Sequence, residues 1–356
     1  MRAARGEKTE RPPIWLMRQA GRSDPVYREI REVFKSPLED LFRNPEFSAA
    51  ISLLPLRWGV DAVIMFQDIL TPLQGMGAPF VFRPGPQPES PFREIADFNR
   101  LHRFDMTYGL SAVNRLLGFL ANALKSTDVP LLGFAGAPFT LLAFMAENGS
   151  PPAELSNTRA LMTEHPKETR RILKLLADMT VDYLKFQIHS GADAVQLFES
   201  AGHLLSPEEY EEWMLPYQQQ VFEGTNGAGK PTIFFARRHD ILLPTATLKA
   251  TGATILSLPK GYSIKAVRAE LGNDTIIQGN LDNHLLAEGD EKSIRDAAAA
   301  CIEEGECCGH IFNLSHGLLP NTPFRNVRLL MEIVRGWHKQ AARTDSTISG
   351  IRDLKP

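Results

Sequence analysis

Two arginines close to the N-terminus flank a short glycine-containing turn, in a segment with the sequence MRQAGR. The guanidinium groups of Arg18 and Arg22 could each grip a carboxylate through two parallel hydrogen bonds. Gly21 permits a turn that brings backbone N–H groups close to an anion. The segment therefore predicts a carboxylate-binding site, with ordinary surface arginines as the alternative.

A second candidate for chemistry is Asp68, which lies in MFQDILTPL with apolar residues on both sides. A carboxylate in apolar surroundings raises the free energy of the folded state unless it is paired with another group. Asp68 is thus predicted either to act in a catalytic site or to play a structural role. The structural role would be a salt bridge or a cap for a helix that follows Pro72, and the sequence leaves both alternatives open.

The third candidate is His316, in the segment NLSHGLLP. A histidine side chain can donate a hydrogen bond in either its neutral or its charged form. A lone histidine is more often a structural donor than a catalyst, so His316 is predicted to act as a hydrogen-bond donor at a site that other residues define.

Eight short apolar runs recur along the chain, separated by longer segments with helical periodicity. Continuous apolar runs are typical of parallel strands that are buried on both faces. The clearest helical segment is His165–His189. Alternation of strand and helix eight times in 356 residues predicts an α/β protein, a single-domain (β/α)8 TIM barrel. The runs are Ile14–Met17, Ala62–Phe66, Leu131–Phe134, Ala194–Phe198, Thr232–Phe235, Thr254–Leu256, Thr275–Ile277 and His310–Leu314.

Polar residues follow these runs closely. In a (β/α)8 barrel the carboxyl ends of all strands meet at one face, where active sites are built. We therefore expect these residues to converge, although polar residues also cap strands for purely structural reasons. They are Arg18, Gln19, Gln67, Asp68, Gly136, Glu199, Ser200, Arg237, Arg238, Lys260, Gln278, Asn280, Asn313, Ser315 and His316.

The barrel is predicted to span residues 13–340. Residues 1–12 are expected to form a flexible N-terminal extension, and residues 341–356 a polar C-terminal tail. The proline-rich segment Phe82–Pro91 is predicted to be one long surface loop.

Composition argues against several classes of protein. The formal net charge is -3, whereas proteins that bind nucleic acid usually carry a basic excess. No apolar run is long enough to span a membrane. The three cysteines cluster late in the chain without CxxC spacing, which disfavours a disulfide framework or a zinc ribbon. The charged N-terminus lacks the apolar segment of a signal peptide, so we expect a cytoplasmic protein.

Taken together, six motifs resemble those of the uroporphyrinogen decarboxylase family: PIWLMRQAGR, FQDILTPLQGMG, FAGAPFTLLAFM, QLFESAGHLLSP, IIQGNLD and FNLSHGL. They occur in the order typical of the family and span Pro13 to about Val334. The resemblance implies a (β/α)8 barrel, usually a homodimer, that works without a metal or cofactor. It further implies a carboxy-lyase of porphyrin and haem biosynthesis. Such an enzyme converts the four acetates of uroporphyrinogen III, a flexible tetrapyrrole, into methyl groups and releases coproporphyrinogen III.

The resemblance also assigns roles to residues. Asp68 matches the family's key aspartate, which would accept the pyrrole N–H groups and stabilise a cationic intermediate. Arg18 matches an arginine that would relay a proton or pair with the departing carboxylate. The remaining matches are to positions that contact the substrate: Gln19, Ala20, Gly21, Arg22, Phe144, Ser200 and His316.

This sequence departs from the family's pattern at four places. Phe144 stands where the family usually has a tyrosine, which removes a hydroxyl near the reacting acetate. MRQAGR is followed by Ser23-Asp24-Pro25 instead of Tyr-Leu-Pro. Leu258-Pro259-Lys260 replaces Leu/Val-Asp-Trp, and Asn283 replaces a proline. These changes leave room for a divergent paralogue.

Two other functions remain open on the sequence. A zinc-dependent methyltransferase on the same barrel would need thiolate and imidazole ligands, but the corresponding segment, Arg238-His239-Asp240-Ile241, contains no cysteine. A non-catalytic tetrapyrrole-binding protein would fit the loss of the hydroxyl at Phe144. It would have less need for a buried carboxylate such as Asp68.

Overall fold

Residues 1–21, 23–237 and 242–337 are described by the computed structural model of this chain. Arg22 and the segment 238–241 therefore lie outside the described residues, as does the predicted tail. No helix in the described ranges is both long enough and apolar enough to cross a membrane.

The centre of the fold is a curled parallel sheet that contains seven strands within the described part of the chain. Its strand order is β1-β4-β5-β6-β7-β8-β9, and every neighbouring pair is parallel. Strands β4 and β6 are buried throughout, which explains their continuous apolar sequences. In chain order the strands are β1 Val63–Ile64, β4 Leu131–Gly136, β5 Ala194–Glu199, β6 Thr232–Ala236, β7 Ile255–Ser257, β8 Ile276–Gln278 and β9 His310–Ile311.

The first of the eight predicted strands, Ile14–Met17, contacts the sheet through isolated backbone pairings instead of a continuous strand ladder. Ile14 forms an isolated parallel bridge with Phe312, just beyond β9. On its other side the carbonyl of Ile14 accepts a hydrogen bond of 2.7 Å from the N–H of Asp61, two residues before β1. The segment around Ile14 thus lies between the two outermost strands of the sheet.

A polar network crosses the inner face of the sheet. Trp15 Nε1 donates to Gln278 Oε1 at 3.0 Å, and Gln278 Nε2 donates to Gln196 Oε1 at 3.0 Å and to Ser257 Oγ at 2.9 Å. These bonds join the N-terminal segment to β5, β7 and β8, and they satisfy amide groups that would otherwise be buried without partners.

Helices connect the strands and cover the outside of the sheet. The longest is α8, which begins with proline at its first position, carries Glu168 in its first turn and buries an apolar stripe against β4 and α6. It confirms the helix predicted over His165–His189. The helices are α1 Pro25–Phe34, α2 Leu38–Arg43, α3 Pro45–Leu53, α4 Met106–Gly109, α5 Ser111–Leu124, α6 Pro138–Ala146, α7 Ser156–Glu164, α8 Pro166–His189, α9 Pro207–Trp213, α10 Leu215–Asn226, α11 Thr245–Ala250, α12 Ile264–Leu271, α13 Asn283–Glu288, α14 Glu291–Gly305 and α15 324–337.

The prediction of one long surface loop over Phe82–Pro91 was wrong. Phe80–Phe82 (β2) and Pro86–Pro88 (β3) form an antiparallel hairpin in which Val81 pairs with Gln87. Prolines are tolerated here because β3 has a single partner, so each missing N–H lies on the unpaired edge or at the strand end.

Residues 1–12 make specific contacts with the rest of the protein. Ala3 is buried in the main hydrophobic cluster, Lys8 forms an antiparallel bridge with Cys308, and Arg11 makes a bidentate ion pair with Asp61 at 2.6 and 2.8 Å. Asp61 also accepts a hydrogen bond from the N–H of Ile14 at 2.8 Å. These contacts attach the segment to the amino ends of the strands.

Candidate functional site

Four of the polar residues predicted to converge lie at the carboxyl ends of parallel strands in one sheet. Asp68 follows β1, Ser200 follows β5, Arg237 follows β6 and His316 follows β9. Because these strands are parallel, all four residues lie at the same edge of the curled sheet, with Arg18 beside them.

Asp68 lines a cavity of about 130 Å³ whose walls come from the loop after β1, from α2, from β2 and from the start of α5. Its Oδ1 accepts a hydrogen bond of 2.8 Å from the N–H of Leu70. Part of the side chain reaches the cavity, yet the surrounding protein desolvates the carboxylate and raises its pKa to about 6. The N–H of Leu70 and the positive charge of Arg18 act in the opposite direction.

Arg18 is exposed and adopts a left-handed backbone conformation, with φ of 62°. Its aliphatic stem lies against the backbone of Gly317: a Cβ atom at Gly317 would come within 2.6 Å of Arg18 Cδ and 2.7 Å of Cγ. Only glycine therefore allows Arg18 this position, and the guanidinium lies within electrostatic reach of Asp68.

The turn after Arg18 is fixed from inside the protein. Gln19 is fully buried, its Oε1 accepts from the N–H of Leu16 at 3.0 Å, and its Nε2 donates to the carbonyl of Ala62 at 2.8 Å. The N–H of Gln19 donates to the carbonyl of Leu16 at 2.9 Å, so the turn itself uses this donor. Ala20 and Gly21 follow, and Gly21 has φ of 141°, a conformation that favours glycine.

The departure Ser23-Asp24-Pro25 has a structural role. Asp24 is fully buried and caps α1 by accepting a hydrogen bond of 2.8 Å from the N–H of Val26. Arg57 Nη2 pairs with both of its oxygens, at 2.9 and 2.7 Å. These contacts hold the chain immediately after Arg22, which itself lies outside the described residues.

His316 has a defined orientation. Its Nδ1 accepts a hydrogen bond of 2.6 Å from the N–H of Gly317, so in the neutral ring the proton lies on Nε2. The ring makes an edge-to-face contact with Phe235 of β6, with 5.6 Å between centroids. His316 can thus donate through Nε2 without being charged.

Hydrogen bonds join the Arg18 segment to the His316 segment. The N–H of Met17 donates to Asn313 Oδ1 at 3.0 Å, and the carbonyl of Met17 accepts from the N–H of Leu318 at 2.9 Å. The two segments are nearly three hundred residues apart in the chain and form one structural unit.

Ser200 is half-buried and directly follows Glu199, a fully buried carboxyl group at the end of β5. Glu199 accepts hydrogen bonds from Thr140 Oγ1 at 2.5 Å and from Gln218 Nε2 at 3.1 Å. Burial raises the pKa of Glu199 to about 7, which these hydrogen bonds and one from the N–H of Ala201 oppose. The apolar run that precedes Glu199 was the sequence signal for its burial.

Phe144 lies on α6, partly buried and packed against the main hydrophobic cluster. Its contact with a substrate stays a prediction. Tyr183 on α8 supplies a further hydroxyl, which no motif or spacing in the sequence indicates. This hydroxyl is buried without a hydrogen-bond partner, and burial together with the charge of Asp68 raises its pKa.

The remaining departures from the family's pattern lie together beside His316. Lys260 Nζ forms an ion pair of 2.6 Å with Asp282, and Asp282 caps α13 through the N–H of His284 at 2.9 Å. The next residue, Asn283, is buried and contacts the His316 segment. Within residues 1–21, 23–237 and 242–337, no group of three His, Cys, Asp or Glu side chains is placed to hold a metal ion.

Comparison with known proteins gives one family. Residues 1–337 match the family model described as uroporphyrinogen decarboxylase (URO-D). The chain is 39% identical to the uroporphyrinogen decarboxylase of Carboxydothermus hydrogenoformans, covering 94% of this chain and 95% of that one. It is 38% identical to the enzyme of the same name from Thermus thermophilus, covering 94% and 96%.

Among solved structures, a methyltransferase from Methanosarcina mazei superposes with a TM-score of 0.77. The superposition covers 94% of this chain and 97% of that one, at 18% sequence identity. At this level of identity the likeness concerns the fold alone.

Proposed function

This chain belongs to the uroporphyrinogen decarboxylase family, and from that membership we propose that it decarboxylates the four acetate side chains of uroporphyrinogen III. The products are coproporphyrinogen III and four molecules of carbon dioxide, in porphyrin and haem biosynthesis. The observation on this chain that supports the proposal is the environment of the Asp68 carboxylate. The carboxylate is largely desolvated, it lines a cavity at the carboxyl edge of the sheet, and it lies within electrostatic reach of Arg18.

The chemistry needs an electron sink. Each acetate is attached to a pyrrole ring, and protonation of a ring carbon creates a cation that accepts the electron pair of the breaking C–C bond. Carbon dioxide leaves, the exocyclic carbon takes up a proton to become a methyl group, and the ring returns the proton it gained. Each acetate thus consumes one proton in total, and the ring itself serves as the sink in place of a metal or cofactor.

In the proposed mechanism Asp68 accepts hydrogen bonds from the pyrrole N–H groups and stabilises the positive charge that develops on the ring. A fixed carboxylate in a desolvated site stabilises such a charge more effectively than water does, because it is oriented before the reaction begins. Arg18 either relays the proton or pairs with the departing carboxylate.

The other site residues are proposed to bind the carboxylates of the substrate. His316 offers its Nε2–H, Arg22 a guanidinium and Ser200 a hydroxyl. The turn Gln19–Gly21 contributes backbone contacts, with the donors at Ala20 and Gly21, because the N–H of Gln19 is used within the turn. Phe144 contributes an apolar wall near the reacting acetate.

We propose further that the sheet closes into one (β/α)8 barrel over residues 13–340, with residues 1–12 as an N-terminal extension and residues 341–356 as a tail. Closure is supported by the position of Ile14 between Phe312 and Asp61, and by the bond from Trp15 to Gln278 across the inner face. The resemblance to the family supports a cytoplasmic homodimer, and sedimentation of the purified protein would test the dimer.

The experiment that tests this function is a count of carboxylates. Purified protein is incubated anaerobically with uroporphyrinogen III, and the products are oxidised and separated by their number of carboxyl groups. We expect species with seven, six and five carboxylates followed by the four-carboxylate product. Bound but unchanged uroporphyrinogen would favour a non-catalytic tetrapyrrole-binding protein instead.

A further inference from the structure

Asn283, at the start of α13, inserts its side chain into the loop that carries His316. Its Nδ2 donates to the carbonyl of Gly317 at 3.1 Å, and its Oδ1 accepts from Ser315 Oγ at 3.5 Å. The residue is only 5% exposed, so these contacts are shielded from water. One buried amide therefore holds both neighbours of His316.

The position of the Gly317 peptide determines the state of the His316 ring. The N–H of Gly317 donates to Nδ1, which fixes the rotation of the ring and leaves the proton of the neutral form on Nε2. The carbonyl of the same residue, Gly317, accepts the hydrogen bond from Asn283. Loss of that hydrogen bond would therefore move Gly317 and, through its N–H, the imidazole of His316.

Gly317 is also the surface on which Arg18 lies. A Cβ atom there would approach Arg18 Cγ and Cδ to within 2.7 Å, so the stem of the arginine packs directly on the glycine backbone. A shift of this peptide by a fraction of an ångström would displace Arg18 as well as His316.

The anchor of Asn283 is independent of the loop it contacts. Asp282 caps α13 and is paired with Lys260 at 2.6 Å, while Asn326 of α15 donates to the carbonyl of Leu286 in α13 at 2.9 Å. The helix thus has contacts of its own, and the side chain of Asn283 is what joins it to the His316 loop.

We propose that Asn283 is a positioning residue, whose amide holds Gly317 where His316 and Arg18 can both bind carboxylates of the substrate. The inference rests on the proposed function, because a substrate rich in carboxylates is what these two side chains would bind. The proline that the resemblance implies at this position has no side-chain donor or acceptor. It could not form these two hydrogen bonds to Ser315 and Gly317, here called the clamp.

Two replacements of Asn283 test the clamp. Asn283→Pro restores the family's residue and is compatible with the first position of a helix. Asn283→Asp keeps the shape and the acceptor for Ser315, but it places an oxygen against the carbonyl of Gly317 where the wild type has a donor. We expect each variant to raise KM for uroporphyrinogen about five- to tenfold, the effect of losing one hydrogen bond, with a smaller change in kcat.

The matched control is Asn326→Ala. It removes the same kind of bond, from a buried asparagine amide to a carbonyl, and the bond is made to the same helix but not to the His316 loop. We expect a loss of Tm similar to that of the Asn283 variants with an unchanged KM. An equal rise in KM for Asn326→Ala would assign the effect to loosening of α13 and overturn the proposal.

A second measurement separates the clamp from the proposed function. The 15N shifts of histidine ring nitrogens report which nitrogen carries the proton, and the signals of His316 are identified by their loss in His316→Gln. We expect the Nε2–H form in the wild type and a mixture of tautomers in Asn283→Pro. If the wild type releases no carbon dioxide, the proposed function fails while this comparison still decides the clamp. An unchanged tautomer in Asn283→Pro would overturn the proposal for Asn283. An unchanged KM of the Asn283 variants, where the wild type is active, would also overturn it.

Discussion

Asp68 has the properties expected of a group that stabilises a cation. Replacing it by asparagine keeps the shape of the side chain but removes the negative charge and introduces a donor that faces the pyrrole N–H groups. We expect Asp68→Asn to lower kcat ~10²–10³-fold, with a much smaller change in KM, because the neutral ground state needs the charge less. Steady-state kinetics with circular dichroism as a folding control would measure this. A folded variant with wild-type kcat would make Asp68 purely structural.

The raised pKa of Asp68 predicts a pH dependence. In the proposed mechanism the ionised form of Asp68 stabilises the cation, and with a pKa of about 6 this form is lost as pH falls through 6 rather than through 4. We therefore expect kcat/KM to be half-maximal near pH 6 and to fall tenfold per pH unit below it. The measurement is kcat/KM between pH 5 and 8, and a constant value down to pH 5 would contradict the prediction.

Phe144 offers a test by restoration. Phe144→Tyr returns the hydroxyl that the family's pattern has at this position, and one additional hydrogen bond to the reacting acetate is worth about 1 kcal/mol. We expect a several-fold rise in kcat. A neutral or harmful effect would indicate that the pocket has adapted to phenylalanine.

At the scale of elements, the end of β5 contributes a pH-dependent term to stability through Glu199. Its pKa in the folded protein is about 7, compared with 4.5 for an ordinary glutamate. The folded state therefore retains a proton between these values that the unfolded chain has lost, so stability falls as pH rises from 4.5 to 7.

We expect this single group to account for about 3 kcal/mol of that fall, the amount that corresponds to a pKa of about 7 in place of 4.5. Glu199→Gln, which does not titrate, should show a shallower decrease in unfolding free energy between pH 5 and 8. Denaturant titrations at several pH values would measure it, with the exposed Glu223→Gln as the control for loss of one charge. A slope equal to that of the wild type would show that Glu199 is ionised throughout.

The elements were predicted from sequence where burial alone determines them. Seven of the eight apolar runs overlap strands of the central sheet, because a strand covered on both faces must be apolar along its length. The run Ile14–Met17 forms only an isolated bridge at Ile14. The N–H of Trp15 still donates to the carbonyl of Phe312 at 3.3 Å, but the N–H of Met17 donates to the side chain of Asn313. The hairpin β2–β3 was missed because its prolines are typical of loops.

The site was predicted only as far as residue types reveal it. Asp68, Ser200 and His316 stood out because they are polar residues that follow apolar runs. The roles of Asn283 and Gly317 depend on contacts between distant parts of the chain. The residue types asparagine and glycine do not by themselves indicate such contacts. Arg22 matched the family's pattern, and its position lies outside the part of the chain that the structure describes.

For the whole molecule, the reaction proposed here predicts independence from metal. The protonated pyrrole ring serves as the electron sink, so we expect no stoichiometric zinc in the purified protein and no loss of activity after dialysis against a chelator. Elemental analysis and the carboxylate count before and after chelation would test this. One tightly bound zinc per chain would instead favour the methyltransferase interpretation, with His239 and Asp240 as the first residues to examine.

The joining of Met17 to Asn313 and Leu318 has a consequence for the synthesis of the protein. The N–H and the carbonyl of Met17, directly before Arg18, find their partners in Asn313 and Leu318 near the other end of the described chain. A ribosome therefore completes the arginine early, but the arginine reaches its final position only after nearly the whole chain has been made. Every shorter nascent chain lacks an assembled site, so a prematurely terminated product that ends before residue 313 should be inactive even if its earlier strands have folded.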